Sequence, residues 1–192
     1  MRILMLGNSF TFANDMPTML AGLTGGQVMQ NTTGDVSLAD QLDIGTMLGV
    51  TAKAALEQIS WDYVVLQEMS YGPVLYKDEF LESAAVLCKK IHAVGAVPVF
   101  YATWAYQKGS TIMESMPVSY EDMAAQLSEA YHEAAKLGDA LIADVGQEFY
   151  RLSDSRNLYA EDGCHPNEEG SRLAAEIIAA VIKYDQAGSD RL

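Results

Sequence analysis

Five short apolar runs, each followed by a segment with helical periodicity, constrain the fold of this chain more than any other feature. The runs cover residues 2–6, 28–32, 61–67, 97–104 and 140–145. Buried parallel strands form near-continuous apolar runs, and the helices that join them make right-handed crossovers. The pattern therefore predicts an α/β fold: a three-layer α/β/α sandwich whose five-stranded parallel sheet has the flavodoxin-like order 2-1-3-4-5.

Helical segments alternate with these runs along the whole chain. They are predicted at residues 16–23, 51–59, 78–94, from a Ser119 cap to Gly138, and from Pro166 onward. The segments 35–50 and 146–164 are predicted to be mainly loop. Four residues of the last helix are expected to face the core: Leu173, Ile177, Val181 and Tyr184. We find no internal repeat and no linker, so a single domain is predicted over residues 1–192.

The charge balance narrows the classes of partner. Twenty-six acidic residues against twelve basic ones give a formal net charge of −14, which argues against binding to nucleic acid or to an anionic membrane. Two cysteines, Cys88 and Cys164, form no disulfide framework. The chain enters its first apolar run directly after Met1, which predicts no signal peptide and a cytoplasmic location. The sequence leaves the oligomeric state open.

The first apolar run ends in Gly7-Asn8-Ser9-Phe10-Thr11. A strand that ends in Gly-x-Ser and turns into a helix places a serine hydroxyl at the carboxyl edge of the sheet, where open α/β sheets bind their ligands. Ser9 is therefore a candidate nucleophile. The alternative interpretation is a turn or N-cap hydroxyl, and this motif alone does not decide between the two.

A serine nucleophile needs a base, which is usually a histidine oriented by a carboxylate. Of the three histidines, His92 and His132 fall inside predicted helices, whereas His165 lies in a loop bounded by Gly and Pro. Asp162 precedes His165 by three residues, close enough for its carboxylate to reach the imidazole Nδ1. Ser9, His165 and Asp162 thus form a candidate triad. Taken alone, Asp-x-x-His is also typical of a capped helix start with an exposed histidine.

Two blocks of the sequence resemble those of the GDSL-like, or SGNH, hydrolase family. Gly7-Asn8-Ser9-Phe10-Thr11 is similar to the family's first block in a Gly-Asn-Ser-Phe variant, and Asp162-Gly163-Cys164-His165-Pro166 is similar to its last block. The order of elements between them also fits, so the resemblance spans nearly the whole chain. It implies a three-layer α/β/α fold with Ser9 as nucleophile, His165 as base and Asp162 as the orienting carboxylate.

The resemblance also implies an oxyanion hole made by the Ser9 N–H, a glycine N–H of the second block and an asparagine side chain of the third. Gly34 is the best match for that glycine, with the Asp35 N–H as the alternative donor. The third block's Gly-x-Asn-Asp is absent, and Gln67-Glu68-Met69-Ser70 stands in its place. Gln67 is therefore assigned the amide donor, the alternative being a polar residue that merely ends the strand.

Two further residues are predicted to contact the substrate. Asn8 lies next to the nucleophile, and Trp104 ends the fourth run as a wall of the substrate pocket, although an aromatic there is equally typical of packing. Thr103-Trp104-Ala105-Tyr106 and the segment that begins at Gln67 resemble a bacterial subgroup of the family.

The sequence as a whole predicts a serine esterase that works through an acyl-enzyme and needs no cofactor and no metal. By analogy with the family, the substrate is expected to be a small-molecule ester with an acetyl-type acyl group, such as an acylated carbohydrate. Two alternatives stay open: a flavodoxin-like phosphate- or nucleotide-binding module that uses residues 8–11, and a family member that binds an acylated ligand but hydrolyses it weakly. Metal ligation by Cys164 and His165 is a third, and no second ligand pair has suitable spacing for it.

Overall fold

A five-stranded, all-parallel sheet forms the centre of the protein in a computed structural model that describes residues 1–189. Its strands are β1 (Arg2–Gly7), β2 (Gln27–Thr32), β3 (Tyr63–Leu66), β4 (Val97–Tyr101) and β5 (Leu141–Ala143). They pair in the order β2-β1-β3-β4-β5, which confirms the predicted fold class and strand order. The predicted domain also includes residues 190–192, which lie outside the described part of the chain.

Helices cover both faces of this sheet. They are α1 (Ser9–Phe12), α2 (Met16–Thr24), α3 (Leu38–Leu42), α4 (Met47–Gln58), α5 (Gly72–Leu75), α6 (Lys77–Ala93), α7 (Thr111–Glu114), α8 (Tyr120–Leu137), α9 (Val145–Leu152) and α10 (Glu168–Ser189). On one face α2 packs against α10, and on the other α6 packs against α8. Right-handed crossovers from a sheet of this order produce that division. Within residues 1–189, no helix has the length and apolar character needed to cross a lipid bilayer.

Local sequence signals set the start of α8 and the end of α2. The Ser119 side chain accepts a hydrogen bond from the Asp122 N–H and caps α8, as a Ser N-cap does. At the end of α2, Gly25 adopts φ +66°, a conformation that costs glycine nothing.

The structure corrects the sequence expectation in three segments. Residues 35–50 are not mainly loop: they hold α3, which Ser37 and Asp40 close with a capping box, and the first turn of α4. The fourth strand ends at Tyr101 and not at residue 104. Residues 145–152 form an eight-residue helix, α9, where one helical turn within a loop was expected.

The inward face of α10 also differs from the prediction. Tyr184 is 85% exposed, and the other three predicted residues are only partly buried. The buried face lies one position further along the chain and consists of Ser171, Ala174, Ala175, Ile178, Ala179 and Ile182. Small side chains on this face let α10 approach α2 closely, and that packing decides between two apolar stripes of similar period.

Candidate active site

The turn after β1 presents Ser9 at the carboxyl edge of the sheet. Asn8 is the N-cap of α1, and its side-chain oxygen accepts a hydrogen bond from the Phe10 N–H at 3.1 Å. Gly7 is required because another segment lies against it: an added Cβ would be 2.5 Å from Thr11 Oγ1 and 2.6 Å from Gln67 Oε1. Each residue of Gly-Asn-Ser therefore has its own reason: Gly7 allows close packing, Asn8 caps α1, and Ser9 is partly exposed at the edge of the sheet.

A continuous chain of hydrogen bonds joins the three predicted triad residues. Ser9 Oγ lies 2.8 Å from Nε2 of His165, and Nδ1 of His165 lies 2.6 Å from Oδ2 of Asp162. The imidazole and the carboxylate are half-exposed, with side-chain exposures of 40% and 51%, so an incoming substrate can reach them. This arrangement can transfer the serine proton to the imidazole and stabilise the resulting cation.

The second carboxylate oxygen of Asp162 fixes the loop that carries the histidine. Oδ1 accepts the backbone N–H of Cys164 at 2.9 Å and that of His165 at 3.0 Å. Burial raises the pKa of Asp162, but these two N–H donors and the His165 ring outweigh it, so the pKa lies below its usual value. Asp162 is therefore ionised at neutral pH and holds both the ring and its backbone.

Three stacked aromatic rings lie beneath the histidine. Phe10 stacks on Trp104 with centroids 4.7 Å apart, Trp104 stacks on Phe149 at 3.9 Å, and the Phe10 ring meets the His165 ring edge-on at 5.5 Å. Trp104 is buried, and its Nε1–H donates to the Cys164 carbonyl at 3.1 Å. Trp104 thus supports the histidine loop from below, whereas the sequence predicted it as a wall of the substrate pocket.

The side chain of Gln67 is also placed differently from its expected oxyanion role. Gln67 is fully buried: its Oε1 accepts from the Asn8 N–H and the Thr11 hydroxyl, each at 2.9 Å, and its Nε2–H donates to the Glu68 carbonyl. The amide is engaged at both ends inside the protein. It holds the turn before Ser9 and is not free to bind an oxyanion.

Backbone N–H groups near Ser9 stay the predicted oxyanion donors. Ser9 is the first residue of α1, so its N–H has no acceptor within the helix. The loop 33–36 lies next to it, because Asn8 Nδ2 donates to the Val36 carbonyl at 3.0 Å. Gly34 is exposed, and a Cβ added there would meet no atom within 4 Å. Asp35 has φ +54°, a left-handed conformation that Asp adopts more readily than most residues.

The structure also defines the surroundings of Asn8 and Cys164. The Asn8 side chain is 3% exposed and bonded on both sides, so its contact with substrate stays a prediction. Cys164 is buried, and that burial, with the Asp162 charge, raises its thiol pKa to about 12 although Ser70 and Tyr106 donate toward it. The thiol therefore stays protonated at neutral pH. Within residues 1–189, no three His, Cys, Asp or Glu side chains cluster as metal ligands would.

Sequence reasoning missed one charged residue at this edge of the sheet. Glu68 follows β3 directly, and its carboxylate is almost wholly buried. A carboxylate that immediately follows a buried apolar strand was the available signal, since ionised groups are rarely buried without partners.

Comparison with known proteins places this geometry in context. No model of a known protein family and no curated protein matches the chain. Among solved structures, a protein from Slackia heliotrinireducens described as an SGNH hydrolase is 43% identical, with a TM-score of 0.91 over 95% of this chain and 98% of its own. Two more distant structures share the fold. A DUF4886 family protein from Bacteroides uniformis is 19% identical (TM-score 0.73; 96% of this chain, 83% of that one). An acetylxylan esterase from Geobacillus stearothermophilus is 16% identical (TM-score 0.70; 94% and 93%).

Proposed function

Because the chain belongs to the SGNH hydrolase family of serine ester hydrolases, we propose that Ser9, His165 and Asp162 are its catalytic triad and cleave a short-chain ester. The observation that carries the proposal is the hydrogen-bond chain from Ser9 Oγ through both imidazole nitrogens to the carboxylate, with links of 2.8 and 2.6 Å. Nucleophile, base and orienting group thus have the separations that serine hydrolysis requires.

The reaction proceeds through an acyl-enzyme. His165 Nε2 takes the Ser9 hydroxyl proton as Oγ attacks the ester carbonyl, and the negative charge develops on the carbonyl oxygen. The Ser9 N–H and an N–H of Gly34 or Asp35 stabilise that oxygen. The protonated imidazole then gives its proton to the leaving alcohol. Water repeats the sequence on the acyl-enzyme: it loses a proton to Nε2 and attacks the carbonyl, and Nε2 then returns that proton to Ser9 Oγ as the bond to Oγ breaks and the carboxylic acid leaves.

Two observations favour a short acyl group on a polar alcohol. The stack of Phe10, Trp104 and Phe149 fills the space under His165, so a long acyl chain has no room in that direction. One structure of the same fold is described as an acetylxylan esterase. We therefore propose an acetyl-type ester of a small molecule, of which an acetylated carbohydrate is the first candidate.

A fluorophosphonate probe tests the triad directly. Intact-mass analysis is expected to show one adduct on the wild-type protein and on Ser155→Ala, an exposed-serine control, and none on Ser9→Ala. A panel of p-nitrophenyl acetate, butyrate and octanoate, followed by acetylated xylo-oligosaccharides, then ranks kcat/KM by acyl length. A folded wild-type protein without adduct would overturn the triad and favour a ligand-binding role. A preference for octanoate would overturn the acyl-group assignment alone.

A further inference from the structure

Glu68 is a buried carboxylate without a cationic partner. Its side chain is 2% exposed, and none of the ion pairs among residues 1–189 involves it. Its two oxygens instead accept backbone N–H groups: Oε2 from Leu38 at 3.0 Å and Oε1 from Met69 at 2.7 Å. Burial of a charge is costly unless hydrogen bonds compensate for it, so a buried glutamate at this position needs a specific explanation.

The hydrogen bonds of Glu68 connect two segments of the active site. Leu38 directly follows the loop 33–37, whose Val36 carbonyl accepts the Asn8 side-chain amide beside the nucleophile. The preceding residue, Gln67, holds the Asn8 backbone N–H. Two consecutive residues after β3 therefore fix both sources of oxyanion donors: Gln67 holds the turn that presents the Ser9 N–H, and Glu68 holds the loop that presents the N–H groups of residues 34 and 35.

We propose that Glu68 is a positioning residue of this esterase, whose carboxylate fixes the loop 33–37 at the distance from Ser9 that the oxyanion needs. The inference rests on the proposed function, because it assumes that an oxyanion forms at Ser9. In this chain the two residues that replace the family's third block position the donors and do not donate themselves.

The chemistry of the site requires a carboxylate and not an amide or an apolar side chain. Both hydrogen-bond partners of the Glu68 carboxylate are N–H donors, so two acceptor oxygens are needed. A glutamine offers one oxygen and turns an NH₂ group toward the other donor, which loses one hydrogen bond. The fold also makes room for the group: a Cβ on Gly72 would lie 3.0 Å from Glu68 Oε1.

Glu68 is also placed to respond to pH. Burial raises its pKa to about 7, with a smaller contribution in the same direction from the charges of Asp40 and Glu79. The Leu38 and Met69 N–H groups act against this rise. The hydroxyl of Tyr131 contacts its backbone N–H at 3.2 Å. A proton can reach the carboxyl through a cavity of about 220 Å³ whose lining includes Ser37, Asp40, Tyr76 and Glu79.

Protonation near pH 7 turns one acceptor oxygen into a donor and loosens the loop. The ratio of kcat for wild type to kcat for Glu68→Gln therefore depends on pH. Loss of one hydrogen bond to a charged acceptor lowers kcat about ten- to a hundredfold at pH 8.5. The ratio then falls toward one at pH 5.5, where the wild-type carboxyl is itself neutral. KM changes little, because an oxyanion donor acts mainly in the transition state.

The test measures this ratio from pH 5.5 to 8.5 with p-nitrophenyl acetate, because every pH effect that is common to both proteins cancels in the ratio. Glu79→Gln is the matched control: it removes a nearby exposed carboxylate, leaves both hydrogen bonds in place, and is expected to change kcat at pH 8.5 by less than about twofold. Leu38→Pro is a second variant, because proline fits the first position of a helix and lacks the N–H that Oε2 accepts. Leu38→Ala is its control, since it also shortens this buried side chain but keeps the N–H. Leu38→Pro is expected to lower kcat relative to Leu38→Ala in the same pH-dependent way.

Each outcome decides one question. Fluorophosphonate labelling of the wild type, together with a pH-dependent ratio, supports the positioning role. Labelling together with a constant ratio, or with full kcat in folded Glu68→Gln or Leu38→Pro, overturns the role of Glu68 and leaves the triad intact. A wild type that is neither labelled nor active overturns the proposed function, and the role of Glu68 falls with it.

Discussion

Replacement of Asp162 by asparagine tests how the proposed triad orients its base. The carboxylate accepts three hydrogen bonds: two at Oδ1 from the backbone of Cys164 and His165, and one at Oδ2 from the imidazole. An asparagine keeps its oxygen at the first pair and places its NH₂ group opposite Nδ1. Nδ1 must then accept a hydrogen bond, so the ring proton moves to Nε2 and points at Ser9. The imidazole in that tautomer cannot act as a base.

The size of the effect follows from the two contributions that are lost. A hydrogen bond to a charged group is worth about 1.5–3 kcal/mol, and the exposure of this pair puts the value near the lower end. Restoring the correct tautomer costs a further hydrogen bond of about 1 kcal/mol or more. Asp162→Asn is therefore expected to lower kcat by about 10², with KM nearly unchanged.

Steady-state hydrolysis of p-nitrophenyl acetate at pH 8 measures this loss, and urea unfolding measures stability in parallel. Asp162→Asn is expected to unfold close to wild type, because it keeps both backbone hydrogen bonds. Asp162→Ala removes all three and is expected to lose about 1–2 kcal/mol of unfolding free energy in addition to its activity. Folded Asp162→Asn with kcat within about threefold of wild type would show that the carboxylate does not orient the base.

Three further predictions concern stability. Gly7→Ala is expected to lower the unfolding free energy by about 1–3 kcal/mol. The control Gly22→Ala, at an exposed helical position with open space, is expected to raise it by about 0.5–1 kcal/mol. Equal effects of the two substitutions in urea unfolding would refute the close approach at Gly7. Trp104→Phe, which loses the hydrogen bond to the Cys164 carbonyl and leaves a void, is expected to cost about 2–4 kcal/mol, and a loss below about 0.5 kcal/mol would contradict the supporting role of the stack. Because the pKa of Glu68 is raised from 4.5 to about 7 in the folded protein, its stabilising contribution is complete below pH 4.5 and is lost as pH rises through 7. Relative to Glu68→Gln, the wild type is therefore expected to lose up to about 3 kcal/mol over that range, and parallel curves for the two proteins would refute the shift.

The parts of the site that the sequence predicted are those encoded locally. Asp162 and His165 lie three residues apart, so their contact depends on one turn of chain. Ser9 follows a strand whose apolar run is unmistakable, and the order of the strands then brings it to the same edge. The capping box of Ser37 and Asp40 is equally local, and it is the sequence signal for the start of α3.

The parts that the sequence did not predict depend on partners far along the chain. The direction of the Gln67 amide is set by hydrogen-bond partners at Asn8 and Thr11, more than fifty residues away. Trp104 is buried because Phe10 and Phe149 enclose it from separate elements. In α10, periodicity allowed two apolar stripes, and only the fit of small side chains against α2 selected one of them.

The proposed triad carries its acid and its base on one short segment, which makes activity a reporter of folding. Asp162 and His165 come together within one turn of backbone, whereas the contact between His165 and Ser9 joins residues 156 positions apart. The Asn14 amide, which donates to the Pro166 carbonyl at 2.9 Å, closes almost the same interval. Contacts between residues this far apart form only after the chain has paid the entropy cost of closing the long loop between them. The onset of ester cleavage during refolding thus marks the moment when the turn at Ser9 meets the loop that carries His165.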